Sequence, residues 1–180
     1  MTRPTDEAIQ ALLDKEDIRQ LVFTYSRAID RHDPELLRSI YFPDAIDDHG
    51  RFCGSVDDFA NYAMGRMEEE FDRTSHLMSS INIELDGDVA NGETYMIGIH
   101  IHKANAEHGQ LLDVLACRLV DRFERREGEW RIANRVVVRD WRHTTPLLDD
   151  PSMDDFKLGT NGADDLSYLL GMSRYGVRVG

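Results

Sequence analysis

Cysteine is scarce in this chain, with only Cys53 and Cys117 among its 180 residues. Two thiols are too few for a disulfide framework and are typical of proteins from a reducing compartment. Apolar runs are short as well, and none approaches the roughly 18 consecutive residues that a membrane-spanning helix needs. The stretch 1–10 is polar and lacks the apolar segment of a secretory signal. We therefore expect a cytoplasmic protein that does not enter a membrane.

Positive charge is also in short supply, because 21 Lys and Arg residues stand against 34 Asp and Glu residues and leave a formal net charge of −13. A surface this acidic repels nucleic acid and anionic membranes, so we expect neither as a partner. Glycine-rich dinucleotide turns, phosphate loops, nucleophile elbows and cysteine-rich metal clusters are missing too. The sequence thus predicts no cofactor and no metal, and catalysis would rely on proton transfer by side chains to and from a small molecule.

The residues that are present have the composition of one globular domain, with 41% hydrophobic and 31% charged residues. A helical period covers residues 14–31, with five apolar positions on one face: Ile18, Leu21, Val22, Tyr25 and Ile29. Asp33 followed by Pro34 predicts the start of a short second helix. Ser55, with Asp58 at the reciprocal capping position, predicts the start of a third.

After Arg73 the apolar period changes from about 3.6 to about 2 residues. Four alternating runs joined by short turns follow, which predicts an antiparallel meander. Helices followed by strands indicate an α+β domain over residues 1–147, with a short hairpin at 45–54. The acidic tail, residues 148–180, has no clear period. We expect it to form a short helix at 166–175 and to act as a lid or an oligomer contact.

Three polar residues are candidates for chemistry. Asp30 lies in the last turn of the first helix, where the helix dipole disfavours an acid, although a solvated or capping carboxylate is the ordinary explanation. Tyr25 lies on the same helix and can border the same cavity, although most such tyrosines are core residues. His76 opens the first long strand in the phase opposite to its aliphatic residues. A carboxylate beside it would orient the ring and raise its basicity, whereas a lone strand histidine is more often structural.

The order of these residues resembles the SnoaL-like branch of the nuclear transport factor two-like superfamily, over roughly residues 10–147. This branch includes scytalone dehydratase, hexachlorocyclohexane dehydrochlorinase and the bile-acid 7α-dehydratase. The resemblance implies a cone, in which N-terminal helices pack on a strongly curved antiparallel sheet around an interior pocket. It rests on the order and spacing of several segments: Tyr25-x-x-x-x-Asp30, Asp33-Pro34-Glu35-Leu36-Leu37, Gly50-Arg51-Phe52-Cys53-Gly54, Thr74-Ser75-His76, and the hairpin from Arg122 to Ile132.

The resemblance also implies a general base. In these enzymes a sheet histidine is paired with an aspartate of the first helix, and His76 and Asp30 occupy the matching places. Tyr25 matches a catalytic tyrosine of the bile-acid enzyme, whereas the dehydrochlorinase has a lysine there. The match to tyrosine favours dehydration.

Two further pairs of residues are implied by the same resemblance. Arg135 and Arg139 both match a catalytic arginine of the last strand, with exposed sheet arginines as the alternative explanation. His100 or His102 corresponds to a second histidine, which would bind substrate. As His-x-His these two would also suit a metal, but no third ligand has a convincing spacing.

These roles imply a cofactor-independent lyase acting on a small, largely apolar hydroxylated molecule. His76 would remove a proton, Asp30 would hold its tautomer, and Tyr25 or an arginine would donate to the oxyanion or leaving hydroxyl. One alternative is an isomerase or cyclase with Asp30 as base and Tyr25 as donor. Another is a non-catalytic binding protein or a subunit like the small subunit of ring-hydroxylating dioxygenases. A dyad distance beyond about 3.2 Å would weaken the catalytic hypotheses.

The last strand carries valines in both phases, at 136–138. An antiparallel sheet usually leaves one face in water. We therefore expect a second copy of the chain to cover the outer face. The resemblance implies the same, because its members are commonly dimers or trimers, and a homo-oligomer is predicted.

Overall fold

The computed structural model describes residues 3–107, 109–148, 150–162, 164–170 and 172. Helices and a small hairpin come first, and four long strands follow. The elements of the domain are α1 (Asp6–Asp30), α2 (Pro34–Ser39), β1 (Tyr41–Asp48), β2 (Cys53–Ser55), α3 (Val56–Glu70), β3 (Phe71–Asp86), β4 (Val89–His102), β5 (Leu111–Arg126) and β6 (Glu129–Pro146). A 3-10 turn (Pro151–Asp155) and the short helix α4 (Leu166–Leu169) lie in the tail.

The helix starts are set by capping side chains. Asp33 accepts a hydrogen bond from the amide of Leu36 at 2.9 Å, and Ser55 accepts one from the amide of Asp58 at 3.2 Å, so both predicted caps are confirmed. The predicted start of α1 is wrong, because the helix begins at Asp6, behind a Thr5 cap. The first turns of α1 are mostly exposed and have no buried apolar face. The apolar period of the sequence therefore did not predict them.

The sheet has six strands in the order β2-β1-β6-β5-β4-β3. Strands β3 to β6 form the predicted antiparallel meander, and β1 with β2 forms the predicted hairpin. The prediction of a wholly antiparallel sheet needs a correction, because β1 pairs with β6 in parallel and makes the sheet mixed. The hairpin is thereby joined to the main sheet, which brings the loop that follows β1 to the same face as β4 and β5.

The core lies between the inner face of the sheet and the helices. The predicted stripe of α1 is buried there, with Leu21 only partly covered. The pairing registers of β3 with β4 and of β5 with β6 contain irregularities. Bulges of this kind bend strands and increase their twist. The curved sheet wraps around α1 and α3 and leaves a space between them, as the cone fold implies.

The described part of the tail packs on the last turn of α1. Arg31 lies 3.2 Å from a carboxylate oxygen of Asp165, and the guanidinium of Arg27 lies 4.5 Å from the ring centre of Tyr168. Helix α4 agrees with the start of the predicted helix at 166–175, whose residues 171 and 173–175 lie outside the described residues. A role for the tail as a lid or oligomer contact stays a prediction.

The outer face of the sheet carries exposed apolar side chains on four neighbouring strands: Leu77, Tyr95, Val120, Val136 and Trp141. We expect a second copy to cover this face, because stable interfaces bury about 800 Å² per partner around such apolar patches. Light scattering should give a multiple of the 20.7 kDa chain mass. The double variant Val136→Lys/Trp141→Lys should shift the mass toward the monomer. A wild-type protein that is monomeric at micromolar concentration would contradict the prediction.

Candidate active site

A cavity of about 410 Å³ lies between α1, α3 and the inner face of the sheet. This volume lies within the range of small-molecule sites. Most of its wall is apolar, and polar side chains converge on it from several elements. The apolar wall includes Ile29, Phe59, Met67, Met96, Leu115 and Val137, and the polar groups include Tyr25, His49, His76, His100 and Arg139.

The end of α1 meets the start of β3 at one carboxylate. An Asp30 oxygen lies 2.7 Å from Nδ1 of His76, and the other accepts the backbone N–H of His76 at 2.8 Å. The hydroxyl of Thr74 donates to Asp30 at 2.8 Å. The histidine and aspartate are therefore in contact within the distance limit for a dyad, and the His76 ring borders the cavity.

The pKa of Asp30 indicates which nitrogen of His76 carries a proton. Burial by itself would raise the pKa of Asp30, but the hydrogen bonds from His76 and Thr74 outweigh it and lower the pKa below its ordinary value. An ionised carboxylate only accepts hydrogen bonds, so Nδ1 of His76 carries a proton. In a neutral imidazole, Nε2 is then an unprotonated nitrogen on the cavity wall, which is the arrangement of a general base.

His100 stands next to this nitrogen. Its Nε2 lies 3.3 Å from Nε2 of His76. Burial, followed by the neighbouring His76, lowers the pKa of His100 to about 3, so His100 is neutral at physiological pH. A neutral ring can donate to or accept from His76, and it can do the same for a bound molecule.

His102 occupies a different environment. Its Nε2 lies 2.9 Å from Asp113, and the ring is not on the cavity wall. Asp113 also accepts hydrogen bonds from Arg142 and Thr144. Burial would raise the pKa of Asp113, but these three partners lower it to about 2. Of the two histidines predicted to bind substrate, the structure brings His100 to the site and engages His102 in a cluster that links β4, β5 and β6.

The two candidate arginines of β6, Arg135 and Arg139, also lie in different environments. Arg139 borders the cavity, whereas Arg135 is fully buried behind the wall. Arg135 binds both oxygens of Asp121, each at 2.7 Å, and its guanidinium lies 4.2 Å from the ring centre of Tyr25. The structure therefore does not place Arg135 against a substrate. It supports Tyr25 from behind.

Tyr25 contacts His49, which was not among the candidate residues predicted from the sequence. Its hydroxyl lies 3.1 Å from Nε2 of His49, and burial raises the Tyr25 pKa well above its ordinary value. Nδ1 of His49 is hydrogen-bonded to Asp47, whose second oxygen accepts from Tyr41 at 2.7 Å. The imidazole is stacked on Phe59 with ring centres 4.4 Å apart. The cavity thus contains a second histidine–aspartate pair.

A signal for this pair was present in the sequence. Asp47 lies near the end of β1 and His49 directly follows the strand, and in extended chain a spacing of two places both side chains on one face. Both residues were predicted only as part of the hairpin at 45–54. Thr74, which supports Asp30, was likewise read as part of a motif and not given a role.

In the part of the chain that the structure describes, no three His, Cys, Asp or Glu side chains are grouped so as to hold a metal ion. Among these same residues, no helix is long and apolar enough to cross a bilayer.

The buried ion pair behind Tyr25 generates a stability prediction. Arg135→Met should lower the free energy of unfolding by about 3–5 kcal/mol, because Asp121 is left as an unpaired buried charge. The double variant Arg135→Met/Asp121→Leu should recover most of that loss. Arg131→Met, on the same strand but paired with Glu129 at the surface, is the matched control and should cost less than about 1 kcal/mol. Urea unfolding followed by circular dichroism measures all three, and an equal loss in the single and double variants would disprove the assignment.

Comparisons with known proteins agree with this architecture. An uncharacterised protein of Mycobacterium tuberculosis is 26% identical over 139 residues, which cover 73% of this chain and 89% of that protein. The crystal structure of a hexachlorocyclohexane dehydrochlorinase, LinA type 3 from Novosphingobium barchaimii, superposes with a TM-score of 0.69 at 16% identity, covering 79% of this chain and 97% of that one. A candidate scytalone dehydratase from Novosphingobium aromaticivorans gives a TM-score of 0.64 at 20% identity, covering 86% and 95%.

At these identities the structural likeness shows a shared fold. The sequence match to a family model is more specific, because the model for the SnoaL-like domain matches residues 10–136. That match includes the helix with Tyr25 and Asp30, the pair Asp47 and His49, and the strand with His76. Since it covers well over half of the sequence, the chain belongs to the SnoaL-like domain family.

Proposed function

We propose that this protein is a cofactor-independent lyase that removes water from a small, largely apolar hydroxylated molecule. One observation carries the proposal: the Asp30 carboxylate is 2.7 Å from Nδ1 of a histidine whose ring borders the cavity. The enzymes among the structural relatives, a dehydrochlorinase and a candidate dehydratase, support an elimination reaction in this fold. A cytoplasmic location remains part of the proposal.

The proposed first step is removal of a proton next to an activating group, such as a carbonyl. Nε2 of His76 takes the proton, and Asp30 stabilises the imidazolium that forms. Proton transfer to a positioned base of this kind contributes typically about 10²–10⁴-fold to the rate. His100, which is neutral and adjacent, is available to bind the activating group or to steady the His76 ring.

The wall of the cavity supports the proposed class of substrate. Its aliphatic, aromatic and thioether side chains favour an apolar body, and Arg139 supplies a cation for a carbonyl or carboxylate oxygen. Positive charge aimed at an oxygen that gains charge in the transition state accelerates proton removal. We therefore propose a hydroxylated ketone or acid with an apolar skeleton as substrate.

The geometry argues against the isomerase in which Asp30 itself is the base. Both oxygens of Asp30 already accept hydrogen bonds, from the His76 amide, the His76 ring and Thr74. These donors stabilise the ionised form and lower the basicity of the carboxylate. An isomerase or cyclase that uses His76 as base is compatible with the same pocket and is distinguished by its product.

We expect His76→Ala to reduce elimination by about 10²–10⁴-fold without unfolding the protein. Hydroxylated steroids, aromatic degradation intermediates and polyketide fragments are first screened by thermal shift, and the products of binding compounds are identified by mass spectrometry and proton NMR. His102→Ala is the matched control, because His102 also contacts an aspartate but lies outside the cavity. It should retain most activity.

Different results would contradict different parts of the proposal. Full activity of His76→Ala would refute the general base. If that variant unfolds, His76→Gln, which keeps a polar side chain near Asp30, replaces it. A product of unchanged mass would identify an isomerase, and tight binding without turnover of any compound would identify a binding protein.

A further inference from the structure

Two histidine–aspartate pairs face the cavity from different elements. His76 and Asp30 come from the start of β3 and the end of α1. Asp47 lies near the end of β1, and His49 directly follows that strand, with the Tyr25 hydroxyl against it. Loss of water needs a base that accepts a proton and an acid that protonates the leaving oxygen, because hydroxide is a poor leaving group. We propose that the Asp47–His49–Tyr25 chain is this acid, an inference that rests on the lyase function proposed above.

The charge balance behind Tyr25 indicates the protonation state of His49. The carboxylates of Asp47 and Asp121 are both completely buried, as is the guanidinium of Arg135. Arg135 is committed to Asp121 through two hydrogen bonds. The only other groups hydrogen-bonded to Asp47 among the described residues are the Tyr41 hydroxyl and His49. A buried carboxylate needs a counter-charge, so the cluster is neutral only when His49 is an imidazolium.

The pair of Asp30 and His76 has a different charge balance. Asp30 accepts three hydrogen bonds, two from His76 and one from Thr74, and its side chain is 15% exposed. Several donors and contact with solvent stabilise a carboxylate without a full positive charge beside it. His76 can therefore stay neutral while His49 is charged. The same two residue types thus supply a base on one wall of the cavity and an acid on another.

The hydrogen-bond directions follow from these charges. A doubly protonated His49 donates from Nδ1 to Asp47 and from Nε2 to the Tyr25 oxygen. The phenolic proton of Tyr25 is then free to point into the cavity. Burial raises the pKa of Tyr25, so a lasting phenolate is unfavourable and the proton that leaves must be replaced. His49 is placed to replace it, and Arg135 above the ring stabilises transient negative charge on the phenol.

The complete step is balanced. His76 takes the proton from carbon, and the electrons of that C–H bond form the new double bond. The C–O bond breaks as Tyr25 gives its proton to the departing oxygen, and His49 passes its Nε2 proton to Tyr25. Water leaves, His49 becomes neutral and His76 becomes the imidazolium. The His49 side chain is 24% exposed, so it can be protonated again by solvent.

The first test needs no substrate. The intact protein is labelled with ¹⁵N-histidine, and ring nitrogen signals are followed from about pH 5 to 9, a range centred on ordinary histidine titration. His49→Gln and His76→Gln assign the signals. We expect His49 protonated on both nitrogens at pH 7 and His76 neutral there. A neutral His49 at pH 7 would overturn the inference and leave the general base proposal untouched.

The second test compares leaving groups. Tyr25→Phe and His49→Gln should slow elimination of a hydroxyl by about 10²-fold or more, the scale of general acid catalysis. They should change elimination of fluoride or a nitrophenolate from the same skeleton by less than about tenfold, because these groups leave without a proton. His76→Gln should slow both reactions. Equal losses for both leaving groups in the Tyr25 and His49 variants would show a structural role and refute the acid.

A pH profile separates proton supply from positioning. The groups that face His49 are Tyr25 from α1, Asp47 from its own strand, and behind them Tyr41 and the Arg135–Asp121 pair. For hydroxyl elimination we expect the rate to fall at high pH as His49 loses its proton. In His49→Gln that high-pH fall should disappear, and an unchanged profile would contradict the proposal. If no compound is eliminated by wild-type protein, the lyase function fails while the NMR result still stands.

Discussion

The Asp30 carboxylate is the interaction on which the site depends. It ends α1 and binds both the backbone and the ring of His76 at the start of β3, so one side chain joins the helix layer to the sheet. An acid at a helix C-terminus is unfavourable for the helix dipole. Here three donors compensate it, which explains why an apparently misplaced charge is tolerated. The same hydrogen bonds fix the tautomer of His76, so the fold and the orientation of the His76 ring have one cause.

A second constraint is the burial of charge behind Tyr25. Arg135 and Asp121 neutralise each other inside the protein, and the buried Asp47 carboxylate is hydrogen-bonded to Tyr41 and His49. Because the parallel pairing of β1 with β6 places Asp47 opposite Arg135, the small hairpin is held against the main sheet beside this cluster. The hairpin therefore contributes to the cavity as well as to the sheet. His49, which directly follows β1, is bonded to Asp47 of the same strand and to Tyr25 of the distant helix α1.

Features encoded by local sequence were predictable. The caps at Asp33 and Ser55, the meander and the placement of Asp30 near His76 followed from short-range signals and from a resemblance. Long-range pairing was not predictable, because nothing local distinguishes a hairpin that stands alone from one whose first strand lies parallel to the last strand of the chain. Residues an even number of positions apart on a strand share a face, so the spacing of four did not separate Arg135 from Arg139.

Helix α1 supplies one residue to each of the two histidine–aspartate pairs: Tyr25 contacts His49, and Asp30 contacts His76. Tyr25 and Asp30 are five residues apart on one helix, which places them about 7 Å apart along its axis and roughly 140° apart around it. A single helix can thus direct the proton donor to one wall of the cavity and the partner of the base to another. In the proposed elimination, a substrate held between them would be deprotonated on one side while its leaving group is protonated on a different side. Under this proposal, the packing of α1 sets which wall of the cavity would act as base and which as acid.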